Sequence, residues 1–439
     1  MSSLVFANDF DPRFYSRRDI SVWAQRVFWL VEPDDIVVLP AEHDREFLEY
    51  VCSLRGIPSA SLTLVVPPPG SSGYRLMTGD RLRNSVFVNH LKDVLEHRPV
   101  DRVWSLWPSN DVAHVALMCG VENLMQGYDF VAQGGGVNAN SKATFRQIAA
   151  SSGVAASDGF VCADSGEMSW AIKLLLSEPG SACMVKRVFD TAASGNEIIC
   201  RADSSLSDSV GSLSVRVLSD VEQSVEDYVS ERWDWASFGS REMVVVEGVV
   251  RDSLSVYVET DISDRGIEIN GSGLMVYDPA PSRQVIPLSS REPWFEDLHE
   301  GAVELSRVLF SMGYRGHASC DAVVDQESKV TFTEINAQIT GSTHVHQGVL
   351  NLLEEGPAQF SGVVCEFVWS EDWHIQSFVE MIDLVDALGL AYNADSCTGV
   401  ILTLPFSERH SSSVFCVAER DEGSALVVRD SLAESLSSR

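Results

Sequence analysis

The sequence predicts a multidomain protein of mixed class, in which an α/β domain is followed by α+β domains. Its 439 residues are too many for one ordinary hydrophobic core, so two or three domains are expected. Residues 1–135 alternate short apolar runs with helical patterns, which is typical of a parallel sheet covered by helices. Between residues 243 and 288, strand patterns follow one another directly, which favours antiparallel pairing.

The predicted N-terminal domain, residues 1–137, is built from apolar strands separated by amphipathic helices. Strands are predicted at residues 4–7, 36–39, 62–66 and 103–106, and helices at residues 44–54 and 81–96. The glycine-rich residues 133–138 mark the end of this domain. They match a phosphate-binding loop poorly, because they do not follow a strand in the GxGxxG manner.

Two further domains are predicted, at residues 138–350 and 351–439. The second domain begins with helices at residues 142–150 and 167–176, and Ser141 is the expected N-cap of the first of them. Its strands are predicted at residues 183–188, 243–247, 255–259, 267–276 and 284–288, before an amphipathic helix at Phe295–Met312. Residues 203–220 are rich in serine and aspartate and are expected to be exposed. In the last domain, strands are predicted at residues 400–404, 413–418 and 425–428, followed by a polar tail.

Composition excludes some partners and draws attention to the lysines. A formal net charge of −31 argues against nucleic acid or an anionic membrane, because both need a basic surface. No membrane-length apolar stretch or signal-peptide pattern is evident, so a cytoplasmic location is expected. Nine cysteines without metal-ligand spacing fit reduced thiols.

Few residues are lysine, which makes each a candidate for a specific task; they are Lys92, Lys142, Lys173, Lys186 and Lys329.

Two acidic residues and an amide lie on adjacent apolar runs, residues 316–324 and 330–336. Glu334 and Asn336 are two residues apart, so on a strand they project from the same face. Asp321 can meet them if the two runs pair as a hairpin around residues 325–329. Oxygen ligands on rigid strands suit Mg²⁺ when phosphate and water complete its shell. Spacing alone does not separate this interpretation from two strands with polar edge residues.

Several candidate residues occur in one order along the chain. They are Lys142 at a helix start, Lys186 on a strand before a loop of small residues, Glu247 at the end of an apolar strand, and the hairpin residues Asp321, Glu334 and Asn336. Each alone also fits an ordinary structural position, such as a solvated helix lysine or a strand end. Together they resemble the ATP-grasp ligases, and the resemblance spans about residues 140–350.

The resemblance implies ATP and Mg²⁺ as cofactors, a lid part at about residues 140–246 and a metal-binding part at about 247–350. The implied nucleotide contacts are Lys142 and Lys186 on the phosphates, Ser194, Gly195 and Asn196 as a lid loop, Glu247 to Val250 as the adenine-reading hinge, and Asp252 on the ribose. Asp321, Glu334 and Asn336 would hold Mg²⁺. No nucleophilic side chain is needed, because phosphoryl transfer depends on positioning and charge neutralisation.

One position departs from the pattern of many superfamily members. Where they carry an arginine that steadies the acyl phosphate, this chain has Gln338. Arg283 and Arg315 are the nearest candidates to replace that cation. His344 and His346 flank the same loop and could contact substrate, although a lone histidine is more often structural.

A narrower resemblance, to the pheganomycin-type peptide ligases, covers nearly the whole chain. It is carried by residues 8–14, 334–344 and 395–405. It implies a pre-ATP-grasp domain, a two-part ATP-grasp fold and a small C-terminal α+β domain. The implied reaction activates the carboxylate of a guanidino-bearing, phenylglycine-type amino acid for attack by a peptide amine in natural-product (antibiotic) biosynthesis.

Three interpretations of function stay open at the level of sequence. The first is this peptide ligase, with an amino acid and a peptide acceptor as partners and a possible homodimer. The second is an ATP-grasp ligase that joins single amino acids or uses another acid. The third, of a different class, is a nucleotide-binding protein without ligase activity.

Overall fold

The computed structural model describes most of the chain. The described residues are 1–9, 19–190, 193–204, 211–212, 214–219, 221–278, 280–356, 360–369, 373, 375–406 and 414–437. Residues 10–14 of the first motif and residues 191–192 of the small-residue loop therefore lie outside the described residues. Each of the nine cysteines is free of disulfide bonds.

The N-terminal part is a parallel sheet flanked by helices, as predicted. Its strands are β1 (Ser3–Phe6), β2 (Ile36–Val38), β3 (Thr63–Val65) and β4 (Arg102–Ser105). They lie in the order β3-β2-β1-β4 and every neighbouring pair is parallel. The helices are α1 (Arg45–Leu54), α2 (Gly79–Leu82), α3 (Ser85–His97), α4 (Asn110–Cys119), α5 (Tyr128–Ala132) and α6 (Gly135–Ala139). The single helix predicted at residues 81–96 is two helices, because the side chain of Asn84 caps α3 by accepting a hydrogen bond from Val86 N.

A five-stranded sheet follows. Its strands are β5 (Gly159–Cys162), β6 (Ala182–Arg187), β7 (Asn196–Arg201), β8 (Val215–Leu218) and β9 (Val244–Gly248). Their order is β5-β9-β6-β7-β8, with all pairs antiparallel except β7 with β8. The helices of this part are α7 (Lys142–Ser152), α8 (Ser165–Leu175) and α9 (Val221–Ala236). Ser141 caps α7 as predicted, whereas α9 was not predicted from the sequence.

The remaining strands form one eight-stranded antiparallel sheet. They are β10 (Leu254–Ser263), β11 (Gly266–Asp278), β12 (Ala280–Ile286), β13 (Gly316–Val324), β14 (Val330–Asn336), β15 (Val363–Val368), β16 (Gly399–Leu402) and β17 (Val414–Glu419). Their order is β14-β13-β10-β11-β12-β15-β17-β16. The accompanying helices are α10 (Phe295–Met312), α11 (Leu350–Glu354), α12 (Phe378–Ala387) and α13 (Glu422–Ser437).

Two features differ from the sequence-based expectation. The strand predicted at residues 425–428 and the tail residues up to Ser437 lie within α13, so that strand prediction is wrong. The sheet also continues across the boundary predicted at residue 350, because β15 pairs with β12. The C-terminal residues therefore extend the sheet that carries the hairpin.

The C-terminal residues also pack against the N-terminal domain. One hydrophobic cluster contains Phe28 and Phe47 from the N-terminal domain together with Phe367 and Phe378 from the C-terminal part. The rings of Phe47 and Phe378 meet edge to face, with centroids 5.3 Å apart. None of the helices within the described ranges is long and apolar enough to cross a membrane.

A close backbone contact seats α6 on the N-terminal domain, just ahead of Ser141 and Lys142. A Cβ atom at Gly136 would lie 1.8 Å from the carbonyl oxygen of Pro108. Asn140, which follows α6, donates from Nδ2 to the carbonyl oxygens of Gly136 and Ala337, at 2.9 and 3.1 Å. The glycine therefore sets the position from which α7 begins.

Gly136→Ala is expected to destabilise the protein by about 3 kcal/mol, because a backbone carbonyl cannot move aside as a flexible side chain can. The urea midpoint of unfolding checks this. Gly423→Ala is the matched control, since its Cβ would be 3.4 Å from the nearest atom, Asp421 Oδ1. The control should leave the midpoint equal or slightly higher. A Gly136→Ala midpoint equal to that of the wild type would contradict the contact.

Candidate active site

A cavity of about 570 Å³ is lined by residues of both the five-stranded and the eight-stranded sheet. Most residues predicted from the sequence to bind nucleotide, metal or substrate line it. They are Lys186, Asn196, Glu247, Val250, Asp252, Arg283, Asp321, Glu334, Asn336 and Gln338. Two segments separated by more than 100 positions in the chain, around Lys186 and Glu334, therefore face one space.

The β13–β14 hairpin brings the three candidate metal ligands together. Asp321 and Glu334 are directly paired, and Asn336 pairs with Ser319. The register shifts next to Asp321, so Thr333 is an extra residue on β14, and its Oγ1 donates to the carbonyl oxygen of Asp321. The hairpin predicted around residues 325–329 is confirmed.

Hydrogen bonds and charge hold the Asp321 carboxylate in place. Its two oxygens accept from Ser319 Oγ and from Asn336 Nδ2, each at 3.0 Å. Burial and the neighbouring Glu334 raise the pKa of Asp321 well above its usual range. Burial would also raise the pKa of Glu334, but the positive charges of Lys142 and Lys186 lower it instead. Glu334 therefore carries the negative charge of the pair, beside two cations.

Both predicted phosphate lysines are buried and paired with acids. Lys142 begins α7, and its Nζ lies 2.8 Å from Glu334 Oε2 and donates to the carbonyl oxygen of Asp190 at 3.0 Å. Lys186 on β6 pairs with Glu247, whose other carboxylate oxygen is 3.0 Å from Arg146 Nη1. Lysine is rarely buried without a partner, so these ion pairs account for their position. Lys142 reaches the site through Glu334, although it is not a lining residue of the cavity.

The small-residue loop is held against Asp190. Ser194 Oγ donates to Asp190 Oδ1 at 2.6 Å, while Arg187 Nη1 binds Oδ2 at 2.9 Å. A Cβ atom at Gly195 would lie 2.5 Å from Asp190 Cβ, so the close approach requires glycine. Asn196 lines the cavity, whereas Ser194 and Gly195 are not among its lining residues.

The end of β9 and the segment after it form one wall of the cavity. Glu247, Val250 and Asp252 all line it. The main chain is fixed at Gly248, whose N–H donates to the carbonyl oxygen of Asp158 at 2.8 Å. Asp252 has a positive φ of 48°, a left-handed conformation that aspartate tolerates better than most residues.

Arg283 and Arg315, the two arginines predicted to replace the missing cation at Gln338, are each bound to an acidic side chain. Arg283 lines the cavity, but its Nε and Nη2 bind Glu422 Oε1 at 2.9 and 2.7 Å. Arg315 is not a lining residue; it binds Asp264 at 2.7 Å and stacks on Phe310, 3.7 Å from the ring centroid. The structure therefore does not bring Arg315 to the candidate site.

Arg26 is an arginine of the cavity that was not predicted from the sequence as a site residue. It is 2% exposed, lines the cavity, pairs with Asp9 and donates from Nη2 to the carbonyl oxygen of Ile339 at 3.3 Å. It thus stands one residue from Gln338, whose buried Oε1 has no hydrogen-bond partner among the described residues. Arg26 is a single arginine in an apolar run near the N-terminus and belongs to no motif. Only its tertiary contact with Ile339 identifies it as a residue of the site.

A buried charge pair lies beneath the loop that follows Gln338. Glu259 is fully buried; it pairs with His317 and accepts from Thr340 Oγ1 at 2.7 Å and Thr343 Oγ1 at 3.0 Å. Burial alone would lower the pKa of His317, but Glu259 and Asp261 raise it to about 9. Burial likewise opposes ionisation of Glu259, yet His317 brings its pKa down to about 2. The ionised pair therefore anchors a loop that lines the cavity.

The two histidines that flank this loop are buried. His344 is 0% and His346 4% exposed, and neither lines the cavity. Burial lowers the pKa of His346 to about 4, so the ring is neutral near pH 7. Its Nε2 lies 3.2 Å from the hydroxyl of Tyr257, which does line the cavity. These histidines support lining residues and have no place on the cavity surface itself.

Residues 24–121 match the family model described as the Pre ATP-grasp domain. No curated protein matches the chain. Among solved structures, an N5-carboxyaminoimidazole ribonucleotide synthetase in complex with ADP is 11% identical, with a TM-score of 0.59, over 98% of this chain and 96% of its own. A biotin carboxylase from Campylobacter jejuni, in a β,γ-ATP complex, is 13% identical, with a TM-score of 0.56, over 98% and 90%.

A third similar structure is the biotin carboxylase domain of 2-oxoglutarate carboxylase from Hydrogenobacter thermophilus, a dimer in complex with MgADP, ADP and bicarbonate. It is 11% identical, with a TM-score of 0.57, over 98% of this chain and 89% of its own. At these identities the likeness establishes the fold alone. The chain shares the fold of these structures, with a Pre ATP-grasp domain in its N-terminal part and an ATP-grasp-like antiparallel sheet after it.

The ion pair between His317 and Glu259 predicts a raised pKa for His317, which an NMR titration can measure. The imidazole of His317 should titrate near pH 9, well above its ordinary value of 6.5, and the His317→Gln variant identifies its signal among those of the ten histidines. Because the folded-state pKa is raised, the stabilisation is complete below pH 6.5 and is lost as the pH rises through 9. The urea midpoint should fall over that interval. A His317 midpoint near pH 6.5 would contradict the ionised pair.

Proposed function

We propose that this protein is an ATP- and Mg²⁺-dependent ligase that joins a carboxylate to an amine. The observation that carries the proposal is that Lys186, Asp321, Glu334 and Asn336 line one cavity, and that Lys142 is paired with Glu334. Basic groups from the five-stranded part and acidic groups from the eight-stranded sheet face each other there. That is the charge distribution a nucleotide triphosphate with a divalent cation requires.

The residues present fit Mg²⁺ bound together with phosphates. Two carboxylates and an amide oxygen are the hard ligands that Mg²⁺ prefers, and Asn336 keeps its carbonyl oxygen free because it uses Nδ2 toward Asp321. Among the described residues, no three histidine, cysteine, aspartate or glutamate side chains cluster as a metal site of their own. Mg²⁺ would therefore depend on substrate oxygens, as is usual for it. When bound, it supplies charge neutralisation and alignment of the phosphates.

The chain's own residues would orient the nucleotide and neutralise the negative charges of its phosphates. Lys186 would turn from Glu247 toward the phosphates, and Lys142 would do so from Glu334. The main chain from Glu247 to Val250 would read adenine, and Asp252 would contact the ribose. Ser194, Gly195 and Asn196 would cover the phosphates as a lid loop.

Phosphorylation of the carboxylate provides the activation. Transfer of the γ-phosphoryl group converts the carboxylate to an acyl phosphate, and the amine displaces phosphate to give the amide, ADP and phosphate. Of the candidate groups at the reacting carboxylate, Gln338 and Arg283 line the cavity, and Arg26 adds a positive charge beside Ile339. We assign Arg26 a positioning role, because its guanidinium already holds Asp9 and Ile339.

The finer proposal is a peptide ligase of natural-product assembly, in which an amino acid supplies the carboxylate and a peptide supplies the amine. It is supported by the motifs at residues 334–344 and 395–405. A ligase that joins single amino acids would use the same site. Product analysis with amino-acid and peptide acceptors separates the two.

Glu334→Ala should lower ATP turnover by about 100-fold or more, because the variant loses a carboxylate from the metal site. ADP release is measured with candidate amino acids and peptides, and the condensed product is identified by mass spectrometry. Glu327→Ala is the matched control, since Glu327 is an exposed residue in the turn of the same hairpin. The control should keep wild-type turnover.

Equal ADP release by Glu334→Ala and wild type would contradict the metal assignment. Nucleotide binding by the wild type, without turnover for any acid and amine, would favour a binding protein over a ligase. Isothermal titration calorimetry with ADP and Mg²⁺ distinguishes that outcome from the absence of a nucleotide site.

A further inference from the structure

Arg146 lies on the face of α7 that also carries Lys142. The two residues are four positions apart, so they project from the helix in the same direction. Lys142 pairs with Glu334 on β14, whereas Arg146 Nη1 lies 3.0 Å from Glu247 Oε2 on β9. One helix face therefore supplies a cation to an acidic residue of each of the two sheets that line the cavity.

The carboxylate of Glu247 is shared between two cations. Its Oε1 pairs with Lys186 Nζ, and its Oε2 accepts from Arg146 Nη1. Glu247 is directly opposite Met184, two residues before Lys186 on β6, so the acid and the lysine lie on the same face of the sheet. The side chain of Glu247 is 5% exposed. Two positive charges thus balance one buried negative charge.

The guanidinium of Arg146 is also held by main-chain groups. Its Nη2 donates to the carbonyl oxygens of Ser157 at 2.8 Å and Gly159 at 3.1 Å. Gly159 on β5 is paired with Glu247, and a Cβ atom at Gly159 would lie 2.7 Å from Glu247 Cβ. These two hydrogen bonds do not involve Lys186. They can therefore keep Arg146 beside Glu247 when the lysine moves.

Lys186 is the cation of this group that reaches the cavity. It is a lining residue, whereas Arg146 is not. In the proposed function, Lys186 turns from Glu247 toward the nucleotide phosphates. Removing the only cation beside a buried carboxylate would leave an uncompensated charge, which is strongly unfavourable. With Arg146 in place, Glu247 keeps a counter-ion after Lys186 has left.

We propose that Arg146 is a positioning residue that keeps Glu247 neutralised while Lys186 binds the nucleotide phosphates. The inference rests on the proposed ligase function, because it requires that Lys186 contacts phosphate. Arg146 does not touch the nucleotide in this arrangement. It acts by making the release of Lys186 from Glu247 less unfavourable. Loss of its charge should therefore weaken nucleotide binding only while Glu247 is negatively charged.

A double-mutant cycle, measured by calorimetry with ADP and Mg²⁺, tests this dependence. Arg146→Gln should weaken ADP binding about tenfold, which lies within the range of coupling free energies between charged residues in contact. In a Glu247→Gln background the same substitution should change the affinity by less than about twofold, the scatter expected for independent sites. The neutral amide at position 247 needs no counter-ion, so Arg146 then has no charge to balance.

Two single variants separate the charge of Arg146 from its hydrogen bonds. Arg146→Lys keeps the positive charge but lacks the planar fork that binds Ser157 and Gly159. It should bind ADP nearly as tightly as the wild type. Arg307→Gln is the matched control, because it removes a positive charge from an exposed ion pair with Glu304 on α10. The control should keep wild-type affinity, and urea midpoints check that each variant is folded.

Equal ADP affinity of Arg146→Gln and the wild type would overturn the assignment of Arg146. An equal loss in both Glu247 backgrounds would do so as well, because a purely structural role does not depend on the charge of Glu247. An equal loss in Arg146→Lys and Arg146→Gln has the same meaning, and this comparison decides the matter if Glu247→Gln does not fold.

The titration of the wild type separates these failures from failure of the proposed function. If the wild type binds ADP and the comparisons between variants fail, only the Arg146 inference is wrong. If the wild type does not bind ADP at all, the proposed ligase function is wrong as well.

Discussion

The ion pair between Lys142 and Glu334 is the interaction on which the geometry of the candidate site depends. It joins the first residue of α7 to a residue near the end of β14, with 2.8 Å between Nζ and Oε2. Lys142 is buried and Glu334 is partly buried, so removing either partner would leave a poorly solvated charge without its counter-ion. In the proposed function, nucleotide phosphates and Mg²⁺ would take over these two partners. The same charges would then balance each other before the nucleotide binds and neutralise its charge afterwards.

The face of the eight-stranded sheet is shaped by local departures from regular pairing. The bulge beside Asp321 adds Thr333 to β14, and the missing side chain at Gly273 leaves room that the Tyr257 ring fills. Glu259 and His317 fix the loop after Gln338 from below. The candidate metal ligands and the loop after Gln338 therefore occupy defined positions along one continuous sheet. The continuity of β12 with β15 makes the C-terminal residues part of the cavity wall.

Local patterns in the sequence were sufficient for the elements that carry the site. The alternation of apolar residues predicted the hairpin of Asp321 and Glu334, and the helix Phe295–Met312 has the predicted bounds. The run at residues 425–428 was misassigned, because a short apolar stretch with β-branched residues fits a strand and a buried helix face equally well. Arg26 could not be found from sequence, since its significance arises from a contact with Ile339, 313 positions away. The pairing of β12 with β15 is a similar long-range feature.

The most direct test of the nucleotide site is a crystal structure of the protein with ADP and Mn²⁺, in which anomalous scattering locates the metal. We expect a peak about 2.1 Å from oxygens of Asp321, Glu334 and Asn336, the distance typical of a small hard cation in the Mg²⁺ site. The ADP phosphates should contact Lys142 and Lys186. A metal bound away from this hairpin, or a cavity that remains without nucleotide at saturating ADP, would contradict the account.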